Sequence, residues 1–208
     1  MTRILIFANG VLPDLEAARG LIHHGDMLIA ADGGLHHILA LGLVPHSIVG
    51  DLDSISIDLQ PLIDKGVQVV KFSADKDETD LELAIDHALK FAPHQIVIVA
   101  ALGNRLDQTL GNIGLIGGFS SPDIRLDDGV EEAFLCRDQV RVHGSSGDLV
   151  SLIPWQGEVA GVRTDGLKWP LHNETLYPHK TRGISNEMLA DEARVTIDSG
   201  LLLVLHRR

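Results

Sequence analysis

Aspartate and glutamate residues cluster in three short motifs in the first half of the chain. The motifs are Ala31-Asp32-Gly33-Gly34, Gly50-Asp51-Leu52-Asp53-Ser54 and Lys76-Asp77-Glu78-Thr79-Asp80. Carboxylates held close together repel one another unless a hard cation binds them or one of them takes a proton. Their oxygens suit Mg²⁺, which usually connects carboxylates to substrate phosphates. The pattern therefore predicts a site for a metal-bridged polyphosphate.

Each motif taken alone has a simpler structural explanation. Asp32 before two glycines could close a turn, and Asp80 could favour a helix N-terminus through the helix dipole. An Asp-x-Asp pair is common in solvated loops, although Asp51 and Asp53 would point to the same face if both stayed extended. Because the motifs recur after successive strands of one predicted sheet, we favour a functional interpretation.

A basic residue lies in a fourth motif, Gly103-Asn104-Arg105-Leu106-Asp107-Gln108-Thr109. Arg105 at a helix start, beside a cluster of carboxylates, is best explained by phosphate contact, because guanidinium pairs with phosphate oxygens through two hydrogen bonds. Asp107 could instead serve only as a helix N-cap. The sequence has no P-loop and no kinase glycine-rich loop. Phosphoryl transfer by this chain would therefore use neither of the common phosphate cradles.

Short apolar runs alternate with helical segments up to about residue 120, and these elements must position the four motifs. The predicted strands are 3–8, 27–31, 47–50, 67–72 and 95–101, and helical periodicity covers 15–23, 35–41 and 81–89. This alternation indicates an α/β domain with a mainly parallel sheet and helices on both faces. Ligands of such sheets bind beyond the carboxyl ends of the strands. Thr79 and Glu82 form a capping-box pattern, which predicts Asp80 in the first turn of a helix.

The pattern changes to short strands after about residue 124. The predicted strands there are 132–137, 139–143, 149–154, 158–163, 193–198 and 201–206, separated by glycine-rich turns. They indicate a smaller all-β sandwich or barrel. We place the change between residues 122 and 145 and predict an α/β catalytic domain over 1–130 and an all-β domain over 131–208.

The net charge excludes several classes of protein. The chain has 208 residues and a formal charge of −12 at neutral pH, so it lacks the basic surface of a nucleic-acid-binding protein or of one bound to an anionic membrane. The acidic excess is local, because residues 51–86 hold ten carboxylates against three lysines. The single cysteine, Cys136, and the absence of an apolar stretch of about 20 residues favour a cytoplasmic protein.

Six motifs, taken in order, resemble those of the thiamin pyrophosphokinase family. The first four are those described above, and the last two are Val162-Arg163-Thr164-Asp165-Gly166-Leu167-Lys168-Trp169-Pro170-Leu171 and Arg182-Gly183-Ile184-Ser185-Asn186-Glu187. The resemblance spans nearly the whole chain. It implies an α/β catalytic domain followed by a β-sandwich that binds thiamine, and a homodimer. It also implies transfer of the pyrophosphoryl group of ATP to the hydroxyl of thiamine, giving thiamine diphosphate and AMP.

The resemblance also implies a role for individual residues by their position. Asp51, Asp53 and Asp80 would hold Mg²⁺. The residues placed at the nucleotide are Asp32, Gly33, Gly34, Thr79 and Gln108. Asp80, Arg105 and Asp107 would be catalytic, with Asp80 or Asp107 as the acceptor of the hydroxyl proton. Ser185 and Asn186 would line the thiamine pocket, which would be completed across the dimer interface.

Two positions depart from the family's pattern. Leu35-His36 stand where the family commonly has an Asn, which removes a polar side chain after the first motif. Asn104 replaces the usual Gly before Arg105. Asn is the residue best able to replace Gly where the backbone needs a positive φ, so we expect the turn to be kept.

Two other functions stay open from the residues alone. Metal-dependent nucleotide-sugar glycosyltransferases also have an Asp-x-Asp pair at a strand end, although the chain shows no motif for a sugar nucleotide. The other alternative is a non-enzymatic acidic cation-binding module with a lectin-like sandwich. Formation of AMP that depends on thiamine would separate the pyrophosphokinase from both.

Overall fold

The chain divides into two compact units, Met1–Val130 and Glu131–Arg208. The computed structural model describes residues 2–103 and 105–208, so Asn104 lies outside the described residues. None of the helices in the described part is long and apolar enough to cross a membrane.

The first unit is an α/β domain built on a parallel sheet. Its strands are β1 (Arg3–Phe7), β2 (Met27–Ala31), β3 (Ser47–Gly50), β4 (Gln68–Lys71), β5 (Gln95–Val99) and β6 (Asp123–Asp127). Its helices are α1 (Leu15–Gly20), α2 (Leu35–Ala40), α3 (Gln60–Ile63), α4 (Asp80–Leu89) and α5 (Leu106–Gly117), and a 3₁₀ turn covers Asp32–Gly34. The described strands pair in parallel in the order β6-β5-β1-β2-β3-β4. The direction of strand addition therefore reverses at β1, between β2 on one side and β5 on the other.

The central strands are apolar along most of their length, and both of their faces are buried. In β1, β2 and β5 every residue after the first is buried, and all of β3 is buried. Continuous apolar strands of this kind belong to parallel sheets covered on both faces, whereas a half-exposed sheet shows alternation. The predicted α/β class is confirmed.

Helix α4 begins at Asp80, as the capping-box pattern predicts. Thr79 has an extended backbone, and its Oγ1 accepts a hydrogen bond from the Glu82 N–H at 3.2 Å. This bond satisfies one of the N–H groups that a helix leaves without an internal partner. The buried face of α4 includes the predicted residues Leu81, Ala84, Ile85 and Ala88. The cap and this apolar face together fix Asp80 in the first turn.

The second unit consists of two antiparallel sheets around one core. Its strands are β7 (Glu131–Cys136), β8 (Gln139–His143), β9 (Leu149–Pro154), β10 (Val159–Asp165), β11 (His172–Leu176), β12 (Asn186–Glu187), β13 (Glu192–Thr196) and β14 (Leu202–Arg207). One sheet has the order β12-β9-β14-β7, and the other has the order β11-β10-β13-β8. Residues of both sheets, among them Phe134, Leu152, Val162 and Val195, share a single buried cluster. The predicted all-β class of this region is confirmed.

A buried histidine lies between two acidic side chains in this unit. His206 of β14 is 1% exposed, its Nε2 lies 3.0 Å from Asp148 Oδ2, and its Nδ1 lies 3.5 Å from Glu132 Oε2. Burial alone would disfavour the charged ring, but hydrogen bonds to the two carboxylates outweigh it and raise the pKa of His206. The charged imidazolium is therefore the form that this arrangement favours.

Three strands were not predicted from the sequence, and each is polar. β6 has the sequence Asp-Ile-Arg-Leu-Asp, and it pairs with β5 through Ile96 and Ile98. β11 has the sequence His-Asn-Glu-Thr-Leu and pairs with β10, whereas β12 has only two residues. Strands that are polar or very short lack the continuous apolar signal by which the buried strands were recognised. The tertiary pairing, and not the local sequence, makes these segments strands.

Candidate active site

A pocket of about 450 Å³ lies at the carboxyl ends of the parallel strands. Every strand from β1 to β5 is followed by residues that line it. They include Asn9 and Gly10 after β1, Asp32 after β2, Asp51 and Asp53 after β3, Lys76, Thr79 and Asp80 after β4, and Arg105, Gln108 and Asn112 after β5. The pocket includes the crevice between β1 and β5, where the order of strands reverses and where open α/β sheets bind ligands.

Three carboxylates meet in this pocket. One oxygen from each of Asp32, Asp51 and Asp80 lies within 4.8 Å of the others. Asp32 begins the 3₁₀ turn with a φ of 46°, and Asp80 begins α4. Asp32 is 4% exposed, and its Oδ1 has no hydrogen-bond partner within residues 2–103 and 105–208. A buried, unpartnered carboxylate oxygen beside two further carboxylates has the donor chemistry of a hard divalent cation, so these residues fit Mg²⁺.

The ammonium group of Lys76 contacts two of these carboxylates. Lys76 Nζ lies 2.8 Å from Asp80 Oδ1 and 3.4 Å from Asp51 Oδ2, and its side chain is only 12% exposed. Burial opposes the charge on Lys76, but the bonds to Asp80 and Asp51 outweigh it and raise the lysine's pKa. Conversely, the pKa of Asp51 is lowered, first by the Asp53 N–H that donates to it and, against partial desolvation, also by Lys76. Lys76 and Asp51 are thus held in their charged forms.

Asp53 lies in the pocket but outside the group of three. The segment after β3 does not stay extended, because Leu52 has a φ of 70° and the Ile55 N–H closes a turn onto the Leu52 carbonyl. The condition that would have placed Asp51 and Asp53 on one face is therefore not met. The structure instead brings Asp32 together with Asp51 and Asp80, and Asp53 is an exposed residue at the rim.

Gly33 and Gly34 are buried and do not line the pocket, although both were predicted to contact nucleotide. A Cβ at Gly34 would overlap the carbonyl oxygen of Phe7, and a Cβ at Gly33 would overlap the side chain of Asn9. Both glycines let the 3₁₀ turn pack directly against the end of β1. They act on the site through Asp32, whose position this packing fixes.

Arg105 and Asp107 form an exposed ion pair at the start of α5. The Arg105 guanidinium donates from Nε and Nη2 to the two carboxylate oxygens of Asp107. The hydrogen bond from Arg105 is the main reason that the pKa of Asp107 is lowered. Both side chains are about two thirds exposed, so the pair contributes little to stability. Arg105 and Gln108 line the pocket, whereas Asp107 does not.

Asn186, predicted to contact substrate, is buried in the second unit and bonded to its neighbours. Its Oδ1 accepts hydrogen bonds from the Trp169 and Glu187 N–H groups, and its Nδ2 donates to the Trp169 carbonyl at 2.7 Å. Trp169 itself is 49% exposed. Ser185 is exposed, has a φ of 57°, and donates its N–H to Ser151 Oγ. Asn186 therefore holds the backbone that presents an exposed indole.

Several pocket residues were not among the predicted site residues, and Asn9, Lys76 and Asn112 are three of the polar ones. Asn9 follows β1 just as the acidic motifs follow β2 and β3, so the same strand-end rule could have identified it. Lys76 lies within the third acidic motif, but nothing in its spacing showed that it would fold back onto Asp51 and Asp80. Asn112 is one helical turn beyond Gln108 and donates its Nδ2 to the Ala101 carbonyl at 2.9 Å.

Comparisons with known proteins give matches along most of the chain. Residues 18–127 match the thiamin pyrophosphokinase catalytic domain, and residues 138–202 match the thiamin pyrophosphokinase vitamin B1 binding domain. The chain is 30% identical to a thiamine pyrophosphokinase of Bacillus subtilis, covering 99% of this chain and 98% of the relative. It is 31% identical to thiamine pyrophosphokinase 1 of Arabidopsis thaliana, covering 94% and 82%. The crystal structure of the Bacillus subtilis thiamine pyrophosphokinase superimposes with a TM-score of 0.88 at 28% identity, over 99% of both chains.

Proposed function

The chain belongs to the thiamin pyrophosphokinase family, and we propose that it is a thiamine diphosphokinase. It transfers the pyrophosphoryl group of ATP to the hydroxyl oxygen of thiamine. The oxygen–β-phosphorus bond forms as the bond between the β-phosphorus and its oxygen bridge to the α-phosphate breaks. The products are thiamine diphosphate, AMP and the proton released by the hydroxyl.

The observation that carries this proposal is the group of Asp32, Asp51 and Asp80 at the strand ends. Their oxygens lie within 4.8 Å, and one buried oxygen of Asp32 has no partner among the described residues. A carboxylate cluster would repel ATP on its own, since both are negative. It supports polyphosphate chemistry only if the carboxylates hold a cation, and we assign Mg²⁺ to them. Asp53, which is exposed at the rim and outside this group, is not assigned to the cation.

Mg²⁺ bound there would neutralise charge on the phosphate oxygens. The protein's own residues supply the rest of the charge compensation and the alignment. Arg105 lines the pocket and presents a planar guanidinium that pairs with phosphate oxygens through two hydrogen bonds. Gln108 and Thr79 lie on its walls as further polar contacts. Positioning of this kind carries most of phosphoryl transfer, because little covalent chemistry falls to the protein.

We assign the proton acceptor for the thiamine hydroxyl to Asp80 and not to Asp107. Asp80 lies in the pocket, whereas Asp107 lies outside the pocket lining and bonds Arg105 with both of its oxygens. The lowered pKa of Asp107 also makes it a weak base. Asp107 then serves to orient Arg105 until phosphate replaces it as the partner of the guanidinium.

Thiamine contacts are assigned to the second unit, at Ser185 and around Asn186. Asn186 is engaged by the backbone on both sides, so its part is to hold Trp169 in place. The half-exposed indole of Trp169 offers a flat aromatic surface, with the Lys168 ammonium 4.9 Å from its ring centroid, and such a surface suits an aromatic heterocycle such as thiamine. Ser185 is exposed beside Asn186 and is free to present its hydroxyl.

We further propose that the chain acts as a homodimer in the cytoplasm. Leu106 and Leu110 of α5 are apolar, yet they are 72% and 48% exposed. Exposed apolar side chains on one helix support an interface with a second chain. Sedimentation equilibrium should give twice the 22.5 kDa chain mass, and a monomer at micromolar concentration would refute this part.

The reaction is tested by incubating the protein with ATP, Mg²⁺ and thiamine and separating the nucleotides. AMP should form only when thiamine is present, and EDTA should abolish its formation. ADP as the nucleotide product would indicate an ordinary kinase. No observation favours a nucleotide-sugar glycosyltransferase or a binding module, and neither would give AMP that depends on thiamine.

A further inference from the structure

We propose that Lys76 is the internal counter-ion of the acidic cluster, that it competes with Mg²⁺ for Asp51 and Asp80, and that it moves to the polyphosphate once the metal and ATP are bound. The proposal rests on the function proposed above, and it assigns to Lys76 a part in the binding of both ligands. In this proposal the Lys76 ammonium changes partners when ligands bind and is not a fixed contact of the fold.

The geometry of Lys76 carries the first half of the proposal. Its Nζ approaches Asp80 at 2.8 Å and Asp51 at 3.4 Å. The other oxygen of Asp51, Oδ1, accepts the Asp53 N–H at 3.2 Å. Both oxygens of Asp51 are therefore engaged, and a divalent cation that binds Asp51 meets the positive charge of Lys76 and competes with it for the carboxylate. The bond to Lys76 is the longer and the less constrained of the two, because the Asp53 bond is closed by the backbone turn.

The position of Asp32 shows what Lys76 leaves unsatisfied. Lys76 satisfies Asp51 and Asp80, whereas Asp32 Oδ1 is buried and unpartnered in the part of the chain that the structure describes. An ammonium reaches at most three acceptors and carries one charge. It does not neutralise three carboxylates, so the cluster still attracts a divalent cation. Lys76 thus lowers the repulsion among the carboxylates without abolishing the affinity for metal.

The segment that carries Lys76 allows the movement. Residues 73–79 lie between β4 and α4 without helix or strand, and their side chains other than that of Lys76 are exposed. Lys76 comes four residues before Asp80, but α4 begins only at Asp80, so no helix fixes its backbone. The side chain also has a flexible four-carbon stem ending in a compact charge. Lys76 lines the same pocket as Arg105, so released Nζ remains within the pocket that would hold the phosphates.

Binding measurements without turnover test the proposal. The variant Lys76→Met removes the charge and keeps the length of the side chain. Calorimetric titration with Mg²⁺ alone should show about tenfold tighter binding than in the wild type, because no ammonium group competes with Mg²⁺ for the carboxylates. With Mg²⁺ saturating, the same variant should bind α,β-methylene-ATP about tenfold more weakly, because one phosphate contact is lost.

Two further variants separate charge from folding. Lys76→Arg keeps the charge, and we expect it to bind Mg²⁺ alone as the wild type does. Lys71→Met removes a lysine that is exposed and does not line the pocket, and both affinities should stay within about twofold of the wild type because exposed charges are screened. Thermal unfolding of each variant in EDTA shows that it is folded before titration.

The opposite signs of the two changes are the signature of this role. Unchanged or weaker Mg²⁺ binding by Lys76→Met would overturn the competition, and unchanged binding of the analogue would overturn the movement to the polyphosphate. A purely structural role for Lys76 would weaken both affinities together. Formation of ADP by the wild type would refute the proposed function but would leave both binding results as they are.

Discussion

Replacing Asp32 by Asn should stabilise the protein without metal and inactivate it with metal. Asn keeps the shape of Asp and tolerates the positive φ of 46° at this position. The substitution removes one of three carboxylates whose oxygens lie within 4.8 Å of one another. An active-site residue that destabilises the fold in the absence of its ligand is the expected signature of a binding site.

The size of the effect follows from the distance between Asp32 and Asp80. One oxygen of Asp32 and one of Asp80 lie within 4.8 Å of each other, and at that limit, with an effective dielectric constant of about 20, two like charges repel by about 3 kcal/mol. Lys76 already offsets part of this repulsion through its bond to Asp80. We therefore expect Asp32→Asn to raise the free energy of unfolding by about 1–2 kcal/mol, or the melting temperature by about 2–8 °C, in EDTA.

Addition of Mg²⁺ should reverse the order of stability. A ligand that binds only the folded state raises its stability in proportion to its affinity, so the wild type should gain and Asp32→Asn should gain little. Turnover of the variant should fall by about a hundredfold or more, as when one preorganised charge is removed from an active site. The assay is differential scanning fluorimetry in EDTA and in Mg²⁺, followed by measurement of AMP.

Asp86→Asn is the matched control. Asp86 is an exposed residue of α4 outside the pocket, so the same loss of charge should change neither melting temperature nor turnover appreciably. The reasoning would be refuted if Asp32→Asn melted below the wild type in EDTA, or if Mg²⁺ stabilised it as much as it stabilises the wild type.

Three further predictions concern the fold and the second unit. The pKa of His206 is raised, so its stabilising contribution is complete below the ordinary pKa of 6.5 and is lost as the pH rises through the raised value. Urea unfolding between about pH 6 and pH 9 should therefore show a free energy of unfolding that falls with pH in the wild type and changes less with pH in His206→Gln. Gly34→Ala should lower the free energy of unfolding by about 1–3 kcal/mol because its Cβ would overlap a backbone oxygen, and wild-type stability by chemical denaturation would contradict this. Asn186→Ala should raise the KM for thiamine more than it lowers kcat, because the backbone of Trp169 loses its partners; an unchanged KM would argue against this role.

Much of the fold could be predicted because the buried strands carry an unambiguous signal. The bounds 27–31 and 47–50 were predicted as the structure has them in β2 and β3, since each is a short apolar run ended by Asp or Gly. The start of α4 was predicted from Thr79 and Glu82, because a helix cap is a local interaction. Polar strands such as β11 could not be predicted, because only their pairing partners make them strands.

The candidate site also has features that could be predicted from the sequence and features that depend on tertiary structure. That Asp32, Asp51 and Asp80 lie near one another could be inferred, because carboxyl ends of parallel strands share one edge of the sheet. The exclusion of Asp53 from that group could not be predicted, because it depends on a positive φ at Leu52. The residue type at that position does not indicate a positive φ. The contact between Lys76 and Asp51 is likewise tertiary, since it joins the loop before α4 to the end of β3, 25 residues away along the chain.

The transfer itself can be followed with ATP labelled at a chosen phosphorus, and this measurement tests the central claim most directly. With ³²P at the β-position in one experiment and at the γ-position in another, we predict that both labels enter thiamine diphosphate in equal amounts and that AMP carries neither. The label in thiamine should appear only with Mg²⁺ present. Transfer of the γ-label alone, with ADP retaining the β-label, would contradict the account.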